Sequence, residues 1–301
     1  MKTDPITGGM FSGGWIGDSL GLLLLLLVAF LVARLRHEVM RRQLGIRNGL
    51  TKCRRAIASD RRIRNWKENH PGAVAFVRDR LSRSHYLELH LIMGFAILAL
   101  FSRFLAELTQ AVLENSPLVM VDRWVFQMLG LVHTPLMTRI MECITFLGGG
   151  EVIMGGALLI CIVLAWQKRF AELAGLIAAV LGGTVLSFVM KTAVNRPRPP
   201  MDSALSLFGA SFPSGHALMS VLLYGFCVYL LILSVKSTEA RSQIITWAVF
   251  LVFMIGVSRL YLGVHYLSDV AAGFTAGICW LAICATGVET FRQRGLRKKT
   301  L

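Results

Sequence analysis

Three short stretches of this chain carry residues able to do chemistry together. They are Lys191-Thr-Ala-Val-Asn-Arg-Pro-Arg198-Pro199, Pro213-Ser214-Gly215-His216, and Ser258-Arg259 followed by His265 and Asp269. Lys191, Arg198 and Arg259 are fixed cations, and an arginine fork matches phosphate bidentately. A phosphate ester undergoing displacement gathers negative charge on its equatorial oxygens, and fixed cations and amide donors lower that barrier. The Pro-Ser-Gly-His turn precedes an apolar run. Ser214 is expected to act as a helix N-cap, so that the amides of Ser214, Gly215 and His216 face an anion at a helix N-terminus. Gly215 allows the backbone to come close to that anion.

His265 and Asp269 are four residues apart and would share one face of a helix. Asp269 is expected to accept the Nδ1 hydrogen of His265, leaving Nε2 free as a nucleophile. His216 is then the general acid, and later the base that activates water against a phosphohistidine. The chain has no HExxH, no carboxylate cluster and no Gly-rich loop followed by Lys-Ser/Thr. No metal or cofactor is therefore expected. Taken singly, each residue has an ordinary reading. Lys191 is a lysine snorkelling at a helix end, Arg196 and Arg198 are loop charges on lipid phosphate, and Asp269 is a helix cap. Their convergence in complementary types argues for a site.

Position depends on the rest of the chain, which is mostly apolar. Of 301 residues, 55% are hydrophobic and 16% charged, and the mean hydropathy is +0.61. An integral membrane protein follows. Seven apolar segments lie near the ~20 residues a bilayer requires: 19–35, 88–107, 137–166, 170–191, 214–235, 243–263 and 266–290. The third is interrupted at Gly148-Gly149-Gly150, which suggests a short interfacial helix from Leu136 and a span from about Val152. Glu142 and Glu151 flank this break and read as wet interfacial carboxylates. The first segment has Lys2 as the only basic residue before it, with the basic residues following, and reads as an uncleaved anchor with its N-terminus outside.

The formal charge of +15 is distributed as topology, not as a nucleic-acid face. Between Arg36 and Arg83 stand 14 Lys/Arg against 4 Asp/Glu, with Trp66 nearly alone among aromatics. Threading the seven segments leaves 23 Lys/Arg on one side and 4 on the other. The basic side is cytoplasmic, and all three motifs fall on the opposite face. The block around Trp66 is expected to form an interfacial helix on anionic lipid. The cysteines Cys53, Cys143, Cys161, Cys227, Cys279 and Cys284 form no CxxC pair and read as small core residues.

The three motifs resemble the signatures of the type 2 phosphatidic acid phosphatase (PAP2) superfamily: Lys-x6-Arg-Pro, Pro-Ser-Gly-His and Ser-Arg-x5-His-x3-Asp. Every position matches, over roughly residues 120–290. The resemblance implies an all-α polytopic membrane bundle with a six-helix phosphatase core, here plus one extra N-terminal transmembrane helix. It implies His265 as nucleophile, Asp269 as its partner and His216 as acid. Lys191, Arg198, Ser214, Gly215 and Arg259 would form the phosphate pocket. Domains are expected at 1–36 (anchor), 37–87 (basic cytoplasmic segment), 88–290 (phosphatase) and 291–301 (basic tail). Integral members of the family act on lipid phosphates and diphosphates at the outer or lumenal face. Its bacterial members include undecaprenyl diphosphate, phosphatidylglycerophosphate and lipid A phosphatases. A bacterial inner-membrane enzyme acting on an isoprenoid diphosphate is the first expectation for substrate, with lipid and bilayer as partners and no nucleic acid. A phosphotransferase would share every catalytic residue and differ only in its acceptor. A vanadate haloperoxidase resembles the pocket but lacks apolar spans. An anionic-lipid transporter would need the cations but not the paired histidines.

Overall fold

The computed structural model describes residues 34, 72, 86–200 and 209–297. The apolar segment 19–35 and residues 37–85 of the expected basic segment 37–87, with the expected anchor and interfacial helix, lie outside the described residues, apart from residues 34 and 72. The described residues form eight α-helices and no strand: α1 Tyr86–Leu113, α2 Pro117–Gly130, α3 Pro135–Phe146, α4 Gly150–Trp166, α5 Phe170–Val194, α6 Gly215–Ser234, α7 Thr238–Tyr261 and α8 Leu267–Arg297. Among the described residues, six stretches are long and apolar enough to cross a membrane: 94–113, 135–166, 170–194, 215–234, 238–261 and 267–292.

Local chemistry sets where the helices begin and end. Helices α2 and α3 both start on a hydroxyl followed by proline. Ser116 accepts from the Leu118 amide and Thr134 from the Met137 amide, each at 3.3 Å, with Pro117 and Pro135 in the first turn. Helix α5 stops at Asn195, whose φ of 45° is left-handed and whose amide donates to the Lys191 carbonyl. The expected break in the long third segment is present. Helix α3 ends at Phe146 and α4 starts at Gly150, and Glu142 and Glu151 are both exposed. Helix α2 was not among the expected segments: its fourteen residues fall in a stretch read as an outer loop. Helix α8 continues past residue 290 to Arg297, so the expected boundary between phosphatase region and tail falls inside a helix.

Helices α6 and α8 form the centre, with α1, α5 and α7 packed around them. Ile153, Leu176, Ala179, Leu223, Phe226 and Val288 build the main core from α4, α5, α6 and α8. Large side chains such as Leu158, Leu159, Leu181, Val185 and Phe188 face outward, as lipid-contacting surfaces do.

The α6–α8 contact is close because α8 carries Gly273 and Gly277, four apart. A Cβ at Gly273 would stand 2.6 Å from the Ser214 carbonyl oxygen and 2.9 Å from the Ala217 Cβ, while one at Gly277 would stand 3.0 Å from the Leu218 carbonyl oxygen. Small residues at this spacing let two membrane helices approach backbone to backbone. Gly273→Ala is expected to destabilise the bundle by about 1–3 kcal/mol, because backbone atoms cannot step aside. Gly287→Ala on the same helix, where a Cβ meets nothing within 4 Å, is expected to be neutral or slightly stabilising. Thermal melts of both variants in detergent check this; equal effects would show that the contact tolerates a methyl group.

Candidate active site

The three motifs meet at one end of the bundle. Lys191 lies in the last turn of α5, His216 in the first turn of α6, Arg259 in the last turn of α7, and Asp269 in the first turn of α8. Arg198 lies in the α5–α6 loop and His265 in the short turn between α7 and α8. Lys191, Arg198, Arg259 and His265 all stand within electrostatic reach of His216. Three of the eight expected residues are fully enclosed: Ser214 and Asp269 at 0% exposure and His265 at 3%.

Each cation is held by oxygens that leave part of its donor set unused. Lys191 Nζ donates to the Ala210 carbonyl at 2.9 Å. Arg198 donates through Nε to Gly209 O at 3.3 Å and through Nη1 to Val264 O at 3.2 Å. Arg259 Nη1 donates to Thr145 Oγ1 at 2.8 Å, while its buried Nε has no partner among the described residues. These contacts aim the side chains without neutralising them, since none is to a carboxylate. The first-turn amides of α6 also point out of that helix, where no intrahelical acceptor exists.

Two expected details differ. Ser214 occupies the N-cap of α6, but its hydroxyl caps no amide and is buried without a partner. Its backbone N–H donates instead to the Asp269 carbonyl at 2.9 Å, which places this turn against α8. Asp269 does not accept a hydrogen bond from His265: Nδ1 and Oδ2 are 3.6 Å apart, and Nδ1 has no partner, beyond hydrogen-bond length. The reason is where α8 begins. His265 precedes the helix, and Asp269 Oδ2 reaches back to the Tyr266 amide at 2.9 Å, as a third-position carboxylate does in a capping box. The imidazole sits beside this cap as an ion-pair neighbour. At Gly215 a Cβ would meet only Ser187 Oγ, at 3.8 Å, so packing within the protein does not demand glycine there. Gly148 does need its smallness: a Cβ would stand 2.5 Å from Ile255 Cγ2 and 3.4 Å from the His216 ring.

Sequence reasoning missed a second group. Arg196, read as a loop charge, is 8% exposed and joins two enclosed carboxylates. Its Nη1 donates to Asp269 Oδ1 at 2.6 Å and to Ser268 Oγ at 2.7 Å, and its Nη2 to Asp122 Oδ2 at 2.8 Å. Its guanidinium lies 4.3 Å from the centre of the Tyr266 ring. Burial opposes the charge of Arg196, but Asp269 and Asp122 outweigh it and hold its pKa above the ordinary value. Asp122 also accepts from the Ser268 amide and hydroxyl, at 2.9 and 2.6 Å. The available signal was the Ser116-Pro117 start followed by apolar residues with Asp122 among them, an amphipathic helix.

Burial pushes the pKa of His265 down to about 4, with Asp269 opposing and Arg259 and Arg198 adding to the fall. The imidazole is therefore neutral at pH 7 and keeps a free lone pair.

Comparisons with known proteins converge on one family. Residues 172–293 match the family model of the PAP2 superfamily. This part of the chain is a PAP2 superfamily domain. All three motifs fall within residues 191–269 of that span. The chain is 27% identical over 171 residues to phosphatidylglycerophosphatase B of Bacillus subtilis strain 168, covering 54% of this chain and 83% of that protein. It also resembles the crystal structure of a transmembrane PAP2-type phosphatidylglycerolphosphate phosphatase from Bacillus subtilis, with a TM-score of 0.59 at 22% identity. That likeness covers 65% of this chain and 96% of the other and bears on the fold: an all-helical membrane bundle, as the sequence implied.

The depressed pKa of His265 has a thermodynamic consequence. As pH falls from the ordinary 6.5 towards about 4, the unfolded chain takes up this proton and the folded one does not. Its contribution to stability is complete above pH 6.5 and is lost as pH falls to about 4. Melting temperatures in detergent are expected to drop across this window, and less steeply in His265→Gln. An unchanged slope in the variant would assign the acid sensitivity to other groups.

Proposed function

We propose that this chain is an integral membrane phosphatase that removes the terminal phosphate of a lipid phosphate or diphosphate through a phosphohistidine. One observation carries the reading: three cations, two histidines and a helix N-terminus converge at the end of a bundle whose helices are long enough to cross a membrane. The related Bacillus phosphatase supports the same class of substrate.

In the proposed reaction, Lys191, Arg198, Arg259 and the amides of Gly215 and His216 hold the phosphoryl oxygens. The neutral Nε2 of His265 attacks phosphorus, and the bond to the leaving oxygen breaks as His216 donates a proton to it. A water then attacks the phosphohistidine while His216 takes its proton. Inorganic phosphate leaves and both imidazoles return to their starting state. Asp269 stabilises the positive charge on the phosphorylated ring. The cations of the chain supply the charge stabilisation, so the reaction is proposed to proceed without a metal.

An apolar cavity of about 410 Å³ between α6, α7 and α8, lined by Val221, Val249, Phe253, Phe274 and Leu281, supports an amphiphilic substrate. Val221 and Phe274 stand five residues below His216 and Asp269, about 7.5 Å of helix, so a hydrocarbon tail fits beneath the charged end. The charge bias of the loops, 23 Lys/Arg against 4, supports a site on the extracytoplasmic face, and an isoprenoid diphosphate of a bacterial inner membrane is the substrate proposed first.

The test is phosphate release in detergent with EDTA from isoprenoid, glycerol and lipid A phosphates. Wild type is expected to release phosphate. His265→Ala is expected to lose about 10³-fold or more, and Arg259→Ala about 10²-fold. Wild-type rates in His265→Ala would overturn the mechanism, and activity abolished by EDTA would overturn metal independence.

A further inference from the structure

Asp122, outside the three motifs, and Arg196, an unspecified position within the first, hold the nucleophile's carboxylate in place. Arg196 spans Asp122 on α2 and Asp269 on α8 with one planar guanidinium, and Ser268 closes the group by donating to Asp122 and accepting from Arg196. Asp122 is 1% exposed and Asp269 0%. A buried ion pair of this kind seldom adds stability over apolar packing, whereas removing one member leaves an uncompensated charge. Stability alone therefore gives weak reason for two carboxylates and an arginine here.

The geometry supplies a better one. Asp269 uses Oδ1 for Arg196 and Oδ2 for the Tyr266 amide, which fixes the rotation of the carboxylate. Oδ2 then faces His265 Nδ1 at 3.6 Å. A ring proton on Nδ1 points at that oxygen, and a ring proton on Nε2 would leave the Nδ1 lone pair against a carboxylate. The carboxylate's orientation thus selects the tautomer with Nε2 free. Arg196 maintains the orientation, and Asp122 maintains Arg196 by holding its second nitrogen and stacking it against Tyr266.

We propose that Asp122 and Arg196 are positioning residues that clamp the Asp269 carboxylate and so fix the reactive tautomer of His265. The inference rests on the reading of His265 as nucleophile. The charged or titratable groups around His265 are Asp269 and Tyr266 on its own side, Arg259 on α7, His216 on α6, and Arg198 and Lys191 from α5 and its loop. Asp122 and Arg196 touch none of the cations that hold phosphate, so their loss should act on turnover and not on binding.

The test uses full-length protein in detergent, with histidine ring nitrogens labelled with 15N. The His265 signals are identified by their absence from His265→Ala. At pH 7, wild type is expected to carry the proton on Nδ1. In Asp122→Asn and Arg196→Gln the His265 ring is expected to become a mixture of tautomers. Turnover on the best substrate should fall roughly 10- to 100-fold with KM within about threefold. Arg196→Lys, which keeps the charge, should recover part of both. If Asp122→Asn folds, as its melting curve reports, and keeps the wild-type tautomer and turnover, the clamp is overturned. If Asp122→Asn does not fold, Arg196→Gln carries the test, and a wild-type tautomer with wild-type turnover in that variant overturns the proposal. Full activity in His265→Ala would overturn the nucleophile itself, and is distinct from an inactive His265→Ala with an unaffected Asp122→Asn.

Discussion

Asp269 makes three hydrogen bonds that together fix one end of the bundle. Its carbonyl takes the Ser214 amide, its Oδ2 takes the Tyr266 amide, and its Oδ1 takes Arg196. The first sets the Pro-Ser-Gly-His turn against α8. The second starts α8 immediately after His265. The third draws in the α5–α6 loop and, through Asp122, helix α2. A buried carboxylate must be satisfied on both oxygens or it costs several kcal/mol, and satisfying this one brings Arg196 of the α5–α6 loop to the start of α8.

The membrane helices make that arrival possible. With Gly273 and Gly277 facing α6, the two central helices lie close enough for backbone contact, and Ser214 reaches Asp269. Helix α7 brings Arg259 against Thr145 at the break between α3 and α4. One glycine of that break serves packing: Gly148 sits where any side chain would collide with Ile255 and approach His216. The interrupted third segment is thus a site-forming corner and not only a kinked span.

The electrostatics divide into two zones. Among the described residues, Lys191, Arg198 and Arg259 bond only to neutral oxygens and keep their charge available. Arg196, two residues from Arg198, spends its charge on Asp122 and Asp269. Adjacent arginines in one Arg-Pro-Arg-Pro run therefore serve opposite ends, one facing the proposed substrate and one facing the scaffold. The intervening proline, with φ fixed near −65°, stiffens the segment that separates them.

Much of this was legible in sequence because it follows from residue type and spacing. The hydropathy of the segments dictates helices in a bilayer, which must satisfy their own backbone groups. The glycine run marks the break in the third segment. The motif residues fall at the same end because an even number of crossings separates them, none between the first two and two before the third, which needs no coordinates. The tertiary structure decided that Arg196 faces inward, since Arg196 and Arg198 are alike in type and the positions of Asp122 on α2 and of Ser268 and Asp269 on α8 distinguish them. It also decided that Ser214 ties to α8 through its backbone N–H while its hydroxyl caps no amide, and that Asp269 stands 3.6 Å from His265 because its carboxylate is already engaged. Such outcomes depend on competition among several donors for one acceptor. Sequence spacing names the competitors, and only their arrangement in space determines which of them reaches it.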